Sequence, residues 1–209
     1  MKAKILKIIL FIVFLADLFF VFKNQTEPRF FTKTLLIPLL ILIYVFESNS
    51  RKNLLNKTFV IGLIFSFFGD FFLLFIWGFL AGLGSFLLAH VLYIFCFVKL
   101  SARKHLPFLA VALLLYASGL IFYLFPYLNE MKIPVIIYGL VISTMLYFAV
   151  LTSNKNLIFG AVLFVISDSV LSINLFVKET VVLSLLVMIT YISAQWFLVK
   201  GMISNPKKL

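Results

Sequence analysis

Asp168 is the only ionisable side chain in the stretch NLIFGAVLFVISDSVLSINLFV, residues 156–177, and Asp70 is the only one in FVIGLIFSFFGDFFLLF, residues 59–75. A carboxyl near the middle of a run this apolar costs on the order of 2.5–3.5 kcal/mol to insert into a bilayer. Acids held at such positions read as functional, because paired intramembrane carboxyls suit general acid–base chemistry or proton relay. Each lies twelve residues after the estimated start of its run, at positions 58 and 156. Both are therefore expected about 18 Å in, at about 1.5 Å per residue, on parallel helices that are candidates for neighbours.

The residues around the acids say which way they face. Gly62, Ser66, Gly69 and Asp70 share one helical face, and so do Ala161, Asp168 and Ser172. Small residues beside an acid let a second backbone approach closely, so each aspartate is expected to face the bundle interior or a wet cavity. Asp17, in FIVFLADLFFVF, is flanked by alanine and large apolar residues. It reads as an acid hydrogen-bonded to another helix or reached by water.

Other polar residues fall at similar depth. His90 and Tyr93 lie on one face at i, i+3, with Gly82, Phe86 and Ala89. A neutral imidazole there either orients a carboxyl and exchanges a proton with it, or packs with one hydrogen bond. His105 lies in a basic loop and reads as solvated. Two histidines without an HExxH pairing argue against zinc. Tyr191 and Gln195 stand at i, i+4 in ITYISAQWFLVKG, where Trp196 and Lys200 read as interfacial anchors. Gln195 needs a partner at its depth, either as helix–helix glue or to orient a substrate. Ser66, Ser167, Ser169 and Asn174 carry the same two readings.

Composition dictates the elements that must position these groups. The 209 residues are 64% hydrophobic and 12% charged, with a mean hydropathy of +1.20. Soluble domains carry about 25% charged residues, and no compact soluble shape covers this much apolar surface. The single Cys96 excludes a disulfide framework and a cysteine metal site. Apolar runs predict eight spans near 5–22, 30–46, 58–76, 79–98, 106–125, 133–151, 156–177 and 180–199. The first, despite Lys2, Lys4 and Lys7, is too long for a signal-peptide core and ends in FFVFKNQ without a small-residue cleavage site. Pro38 falls inside the second run, where neighbouring helices can satisfy the freed carbonyl.

The fold expected is all-α, a polytopic bundle of eight transmembrane helices forming one domain over residues 1–209. Its net charge of +11 invites a nucleic-acid reading. Of the eighteen basic residues, however, only Lys23, Arg29, Lys33, Lys132 and Lys178 fall at one face of an eight-span topology. The excess at the other face predicts both termini on the cytoplasmic side of a multi-pass membrane protein, in the cytoplasmic membrane if the source is a bacterium, and no nucleic-acid partner is needed. Loops are short, with ESNSRKNLLNK (47–57) among the longest. GDFFL in the third run and SDSVL in the seventh share a small-Asp-x-x-Leu pattern four spans apart, as an internal duplication would leave. No GxSxG elbow, P-loop or GxGxxG occurs.

Taken in order, FSFFGDFFLL, FLLAHVLYIFCF, IIYGLVISTMLYFAV, GAVLFVISDSVLS and YISAQWFL resemble the YhhN family of integral membrane proteins, from about residue 30 onward. GAxLFxxSD is the most specific piece. The resemblance implies eight membrane helices and lysoplasmalogenase activity, meaning hydrolysis of the vinyl-ether bond of a lysophospholipid to a fatty aldehyde and a glycerophospho-ethanolamine or -choline. The family's motif aspartates fall on Asp70 and Asp168 and its histidine on His90. Lys33, Ser66, Tyr93, Tyr138, Ser167 and Gln195 become candidates for substrate binding or support. Lys33-Thr34 stands where the family often has Lys-Pro, and Ser172 where alanine is common.

The chemistry fits two acids. Protonating the β-carbon of a vinyl ether gives an oxocarbenium ion that water attacks, as in the related problem solved by glycosidases with two carboxyls. In a low-dielectric site two adjacent acids do not both ionise, so Asp70 and Asp168 are expected to share one proton. No metal or organic cofactor is required, and the phosphate would lie near an interfacial lysine such as Lys33. Three other functions use similar residues: a proton-coupled transporter, an intramembrane aspartyl protease and a lipid-sensing structural protein. The chain has FFGD where such proteases have Gly-x-Gly-Asp, and it lacks a Pro-Ala-Leu motif.

Overall fold

The computed structural model of the chain describes residues 2–51 and 55–204. Residues 1, 52–54 and 205–209, which include the middle of the 47–57 loop and three of the eighteen basic residues, lie outside the described residues. Among the described residues the fold is all-helical, in the order α1 (Lys2–Phe22), α2 (Thr26–Ser50), α3 (Lys57–Phe72), α4 (Phe79–Leu100), α5 (Pro107–Leu124), α6 (Lys132–Leu151), α7 (Lys155–Phe176) and α8 (Val181–Ser204). Seven of these are long and apolar enough to cross a bilayer. The protein is a multi-pass integral membrane protein.

Two boundaries differ from expectation in ways that matter for the site. The third run ends at Phe72, four residues early, and α3 has only 16 residues. After it the chain turns through Leu73–Phe75 into a single 3-10 turn, Ile76–Gly78, with Ile76 and Trp77 exposed. Gly78 makes this reversal possible, because a β-carbon there would collide with the Phe72 carbonyl. Hydropathy cannot see such a turn, since Leu73–Trp77 is apolar throughout. The second run is longer than expected, and α2 begins at Thr26, so Arg29 and Lys33 stand one helical turn apart inside it.

Side-chain caps set the register of both acid-bearing helices. The Asn56 carboxamide accepts from the Phe59 N–H at 3.1 Å, and the Asn154 carboxamide accepts from the Asn156 and Leu157 N–H groups at 3.0 and 3.3 Å. Each cap satisfies amides that the first helical turn leaves free. A lysine follows each asparagine, and an aspartate stands fourteen positions after it: Asn56 to Asp70, Asn154 to Asp168. The equal depth expected of the two acids thus has a local cause.

The helices close a ring in the order α2–α3–α4–α6–α7–α8 and back to α2, and the antiparallel pairs α3–α4 and α7–α8 pack most extensively. α1 lies outside against α2 and α8, and α5 against α6 and α7. The two outer helices expose apolar side chains such as Phe11, Phe108 and Phe122, as lipid-facing helices do. The sequence raised α3 and α7 as candidates for neighbours. Instead α3 packs on α4 and α2, α7 packs on α8 and α6, and the two acid-bearing helices face each other across the ring.

Candidate active site

Inside the ring, Asp70 and Asp168 line one cavity of about 190 Å³. Lys33, Ser167 and Tyr191 complete its polar inner wall, with Leu73, Phe86, Leu171 and Met188 as apolar filling. Arg29, Asn174, Glu179 and Ser184 continue it toward the end of the bundle where α1 meets α2 and α7 meets α8. Leu73 and Leu171, the leucines three positions after each aspartate, both touch the cavity. The shared small-Asp-x-x-Leu pattern therefore contributes two residues from each of its copies to one space.

Asp70 is 3% exposed and held on both carboxyl oxygens. Tyr191 donates its hydroxyl to Oδ2 at 2.6 Å, and Lys33 Nζ stands 3.6 Å from Oδ1. Behind Tyr191, a buried polar chain runs through the bundle. The Gln195 amide donates to the Tyr191 hydroxyl at 3.5 Å, Tyr93 donates to Gln195 Oε1 at 3.3 Å, and Ser66 meets the Tyr93 hydroxyl at 3.1 Å. Glycines let the rings in. A β-carbon on Gly62 would lie 2.6 Å from the Tyr93 ring, and one on Gly69 would lie 2.6 Å from Phe86.

Asp168 is only half-buried, and Tyr138 on α6 donates its hydroxyl to Oδ2 at 2.5 Å. Each of the two acids thus receives a phenol from another helix, but among the described residues a cation stands beside Asp70 and not beside Asp168. Ser167, next in chain, is fully buried and spends its hydroxyl on the Val187 carbonyl at 3.1 Å, which joins α7 to α8.

His90 is fully buried among rings, its centroid 4.6 Å from Phe164 and 5.4 Å from Tyr138. Neither ring nitrogen makes a hydrogen bond among the described residues. The sequence offered two roles, proton exchange with a carboxyl or a packed ring with one hydrogen bond. The geometry gives a packed ring behind Tyr138. His105 is exposed, near Tyr147.

Asp17 has the partners expected of an acid bonded to another helix. It is fully buried, accepts from the Thr32 hydroxyl at 2.8 Å and lies 3.9 Å from Arg29 Nε. Its location is more informative than the sequence suggested, because Arg29 lines the same cavity as the other two acids. Lys33, expected at an interface, is 8% exposed and turned onto Asp70.

Sequence reasoning assigned no role to Tyr191 or Arg29. Tyr191 was visible as the i, i+4 partner of Gln195, but the residue it would meet was not. Arg29 was hidden by placing the start of the second helix at residue 30, which made it a loop charge.

A family model described as the YhhN family matches residues 28–202. The chain belongs to that family. The match begins one residue before Arg29 and runs through all the cavity-lining residues named here. Among curated proteins, the YhhN chain is 34% identical to the lysoplasmalogenase of Rattus norvegicus over 66% of its own length and 58% of the relative's. It is 31% identical to the lysoplasmalogenase of Mycobacterium bovis, over 60% and 51%. It is 33% identical to that of Mus musculus, over 69% and 62%. The matches cover about half to three-fifths of these relatives. No solved structure matches the chain.

Proposed function

We propose that this YhhN protein hydrolyses the vinyl-ether bond of lysoplasmalogens, releasing a fatty aldehyde and a glycerophospho-ethanolamine or -choline. The observation that carries the reading is the convergence of Asp70 and Asp168 on one cavity inside the helical ring, with Arg29 and Lys33 as cations in its wall. The names of the relatives point to the same substrate class.

In this scheme the two aspartates carry one proton between them, and their partners decide where it sits. Asp70, beside the Lys33 ammonium, is the carboxylate, while Asp168, which has the Tyr138 phenol on Oδ2 and no cation at ion-pair distance among the described residues, holds the proton. Asp168 gives that proton to the β-carbon of the alkenyl chain, and an oxocarbenium ion forms on the ether side. Asp70 stabilises the cation and accepts a proton from the water that adds to the α-carbon. The resulting hemiacetal returns its hydroxyl proton to Asp168 as the aldehyde forms, and Asp70 passes its proton to the departing glycerol oxygen. One water is consumed and both acids are restored. No metal or organic cofactor enters the scheme.

Arg29 and Lys33 supply the positive charge that a phosphodiester requires. Residues 1–209 act as one eight-helix unit with both termini cytoplasmic, a reading supported by the excess of lysine and arginine at that face. The cavity then opens toward the opposite side of the membrane.

The direct test is purified protein in liposomes supplied with an alkenyl-lysophospholipid. Release of fatty aldehyde is the expected result. Movement of intact lipid across the bilayer with no aldehyde would contradict hydrolysis and favour transport.

A further inference from the structure

Asp168 borders more than the polar cavity. Two narrow apolar crevices also end on it, each of about 50 Å³. One runs between α5, α6 and α7 past Leu120 and Ile121. The other runs between α4, α6 and α7, past Phe79, Leu83, Val135 and Phe176.

The two crevices relate differently to the polar cavity. The α5 crevice shares only Asp168 with it. The α4 crevice shares Leu73, Phe86, Asp168, Leu171 and Leu175, so the two spaces form one continuous wall. At its far end Phe79 and Phe176 meet edge to face, with ring centroids 5.6 Å apart.

We infer that the α4–α6–α7 crevice is the binding site for the aliphatic chain of a single-chain lipid whose polar part occupies the Asp70–Asp168 cavity. This rests on the hydrolase reading and extends it to the substrate's apolar half. A lysoplasmalogen changes character at one bond: glycerol and phosphate lie on one side of the vinyl ether, hydrocarbon on the other. The protein changes character across one wall. From Asp168 the charged cavity and the mainly apolar crevice run side by side toward the end of α7, parted by Leu171 and Leu175, so a lipid with its polar part in one and its chain in the other would bring its vinyl ether to that carboxyl. Apolar contact along the chain adds affinity with each methylene buried, which makes the crevice a determinant of chain length. Leu83 and Val135, facing the crevice from α4 and α6, set its bore, and the Phe79–Phe176 pair sets its reach.

The test compares alkenyl-lysophospholipids with long and short chains on the full-length protein in liposomes. Leu83→Trp and Phe176→Trp, at residues that line this crevice and not the α5 one, narrow the crevice and should lower the long-to-short ratio of kcat/KM by about tenfold or more. Leu120→Trp, in the α5 crevice, should leave that ratio within about threefold of wild type. An unchanged ratio in both crevice variants, or a change confined to Leu120→Trp, overturns the assignment.

A second measurement does not depend on hydrolysis. A saturated 1-O-alkyl lysophospholipid bearing a diazirine in mid-chain is photolysed with the wild-type protein, and the labelled peptides are mapped. Adducts on α4 around Leu83 and on α7 around Phe176 support the site, even if the protein releases no aldehyde and the hydrolase reading falls. Adducts on α5 around Leu120, or adducts spread evenly over α1 and α5, overturn it. If the tryptophan variants lose activity on every substrate, the cross-link map decides.

Discussion

Tyr191 on α8 donates its hydroxyl to Asp70 on α3 across 2.6 Å, joining residues 121 positions apart. The bond fixes one carboxyl oxygen and leaves the other toward Lys33, so the orientation of Asp70 depends on a helix on another side of the ring. Tyr191→Phe keeps the ring and removes only the donor. A hydrogen bond to a charged group contributes about 1.5–3 kcal/mol, so kcat should fall by about ten- to a hundredfold. KM for the alkenyl lipid and the far-ultraviolet circular dichroism should be unchanged. Aldehyde release measured over a substrate range checks this, and a wild-type kcat would remove Tyr191 from the machinery.

Lys33 and Asp70 are both buried, and removing one partner of such a pair strands the other charge at a cost of about 3–5 kcal/mol. Lys33→Met should therefore lower the detergent-solubilised Tm markedly. Adding Asp70→Asn to the same chain should recover most of that loss, because the stranded carboxylate is gone. Activity should stay absent in the double variant. Thermal melts of the two single variants and the double variant form the cycle that measures the coupling.

Gly62 admits the Tyr93 ring, which hands the polar chain from Ser66 to Gln195. Gly62→Ala forces that ring to shift, and overpacking of this kind costs about 1–3 kcal/mol. Tm and kcat should fall together. Gly84, with open space around its α-carbon, is the control: Gly84→Ala should change neither.

Arg29 lies between Asp17 and the cavity. If it holds the phosphate, Arg29→Gln should raise KM about tenfold with little change in kcat, the mark of binding that is equal in ground and transition states. Asp17→Asn, which removes the charge facing Arg29 but keeps an acceptor for Thr32, should raise KM less. A fall in kcat at constant KM for either variant would place Arg29 in the chemistry and not in binding.

The parts of this site that could be read from the sequence are those fixed within one helix. Hydropathy gave the helices, and the spacing of Gly62, Ser66, Gly69 and Asp70 gave the face that packs. The asparagine caps at 56 and 154 carry the equal depth of the two acids, and both are plain in the sequence once the helix starts are known. Relations between helices were not legible. Nothing in α8 says that Tyr191 meets α3 and not α7, because ring order is set by packing over many side chains. The premature end of α3 escaped for a different reason, since apolar residues in a turn and in a helix score alike. His90 shows the limit of depth alone: a titratable group expected near mid-membrane is enclosed by Phe164 and Tyr138, with no hydrogen-bonded carboxyl among the described residues.

The account depends above all on both aspartates taking part in one reaction. Purified Asp70→Asn and Asp168→Asn proteins, reconstituted beside wild type and supplied with an alkenyl-lysophospholipid, give the most direct reading of that claim. Asparagine keeps the size of each side chain and removes its capacity to carry or accept the proton. Aldehyde release should fall to background in each variant while both retain wild-type helicity and reconstitution yield. Release at the wild-type rate by either variant would contradict a two-carboxyl mechanism.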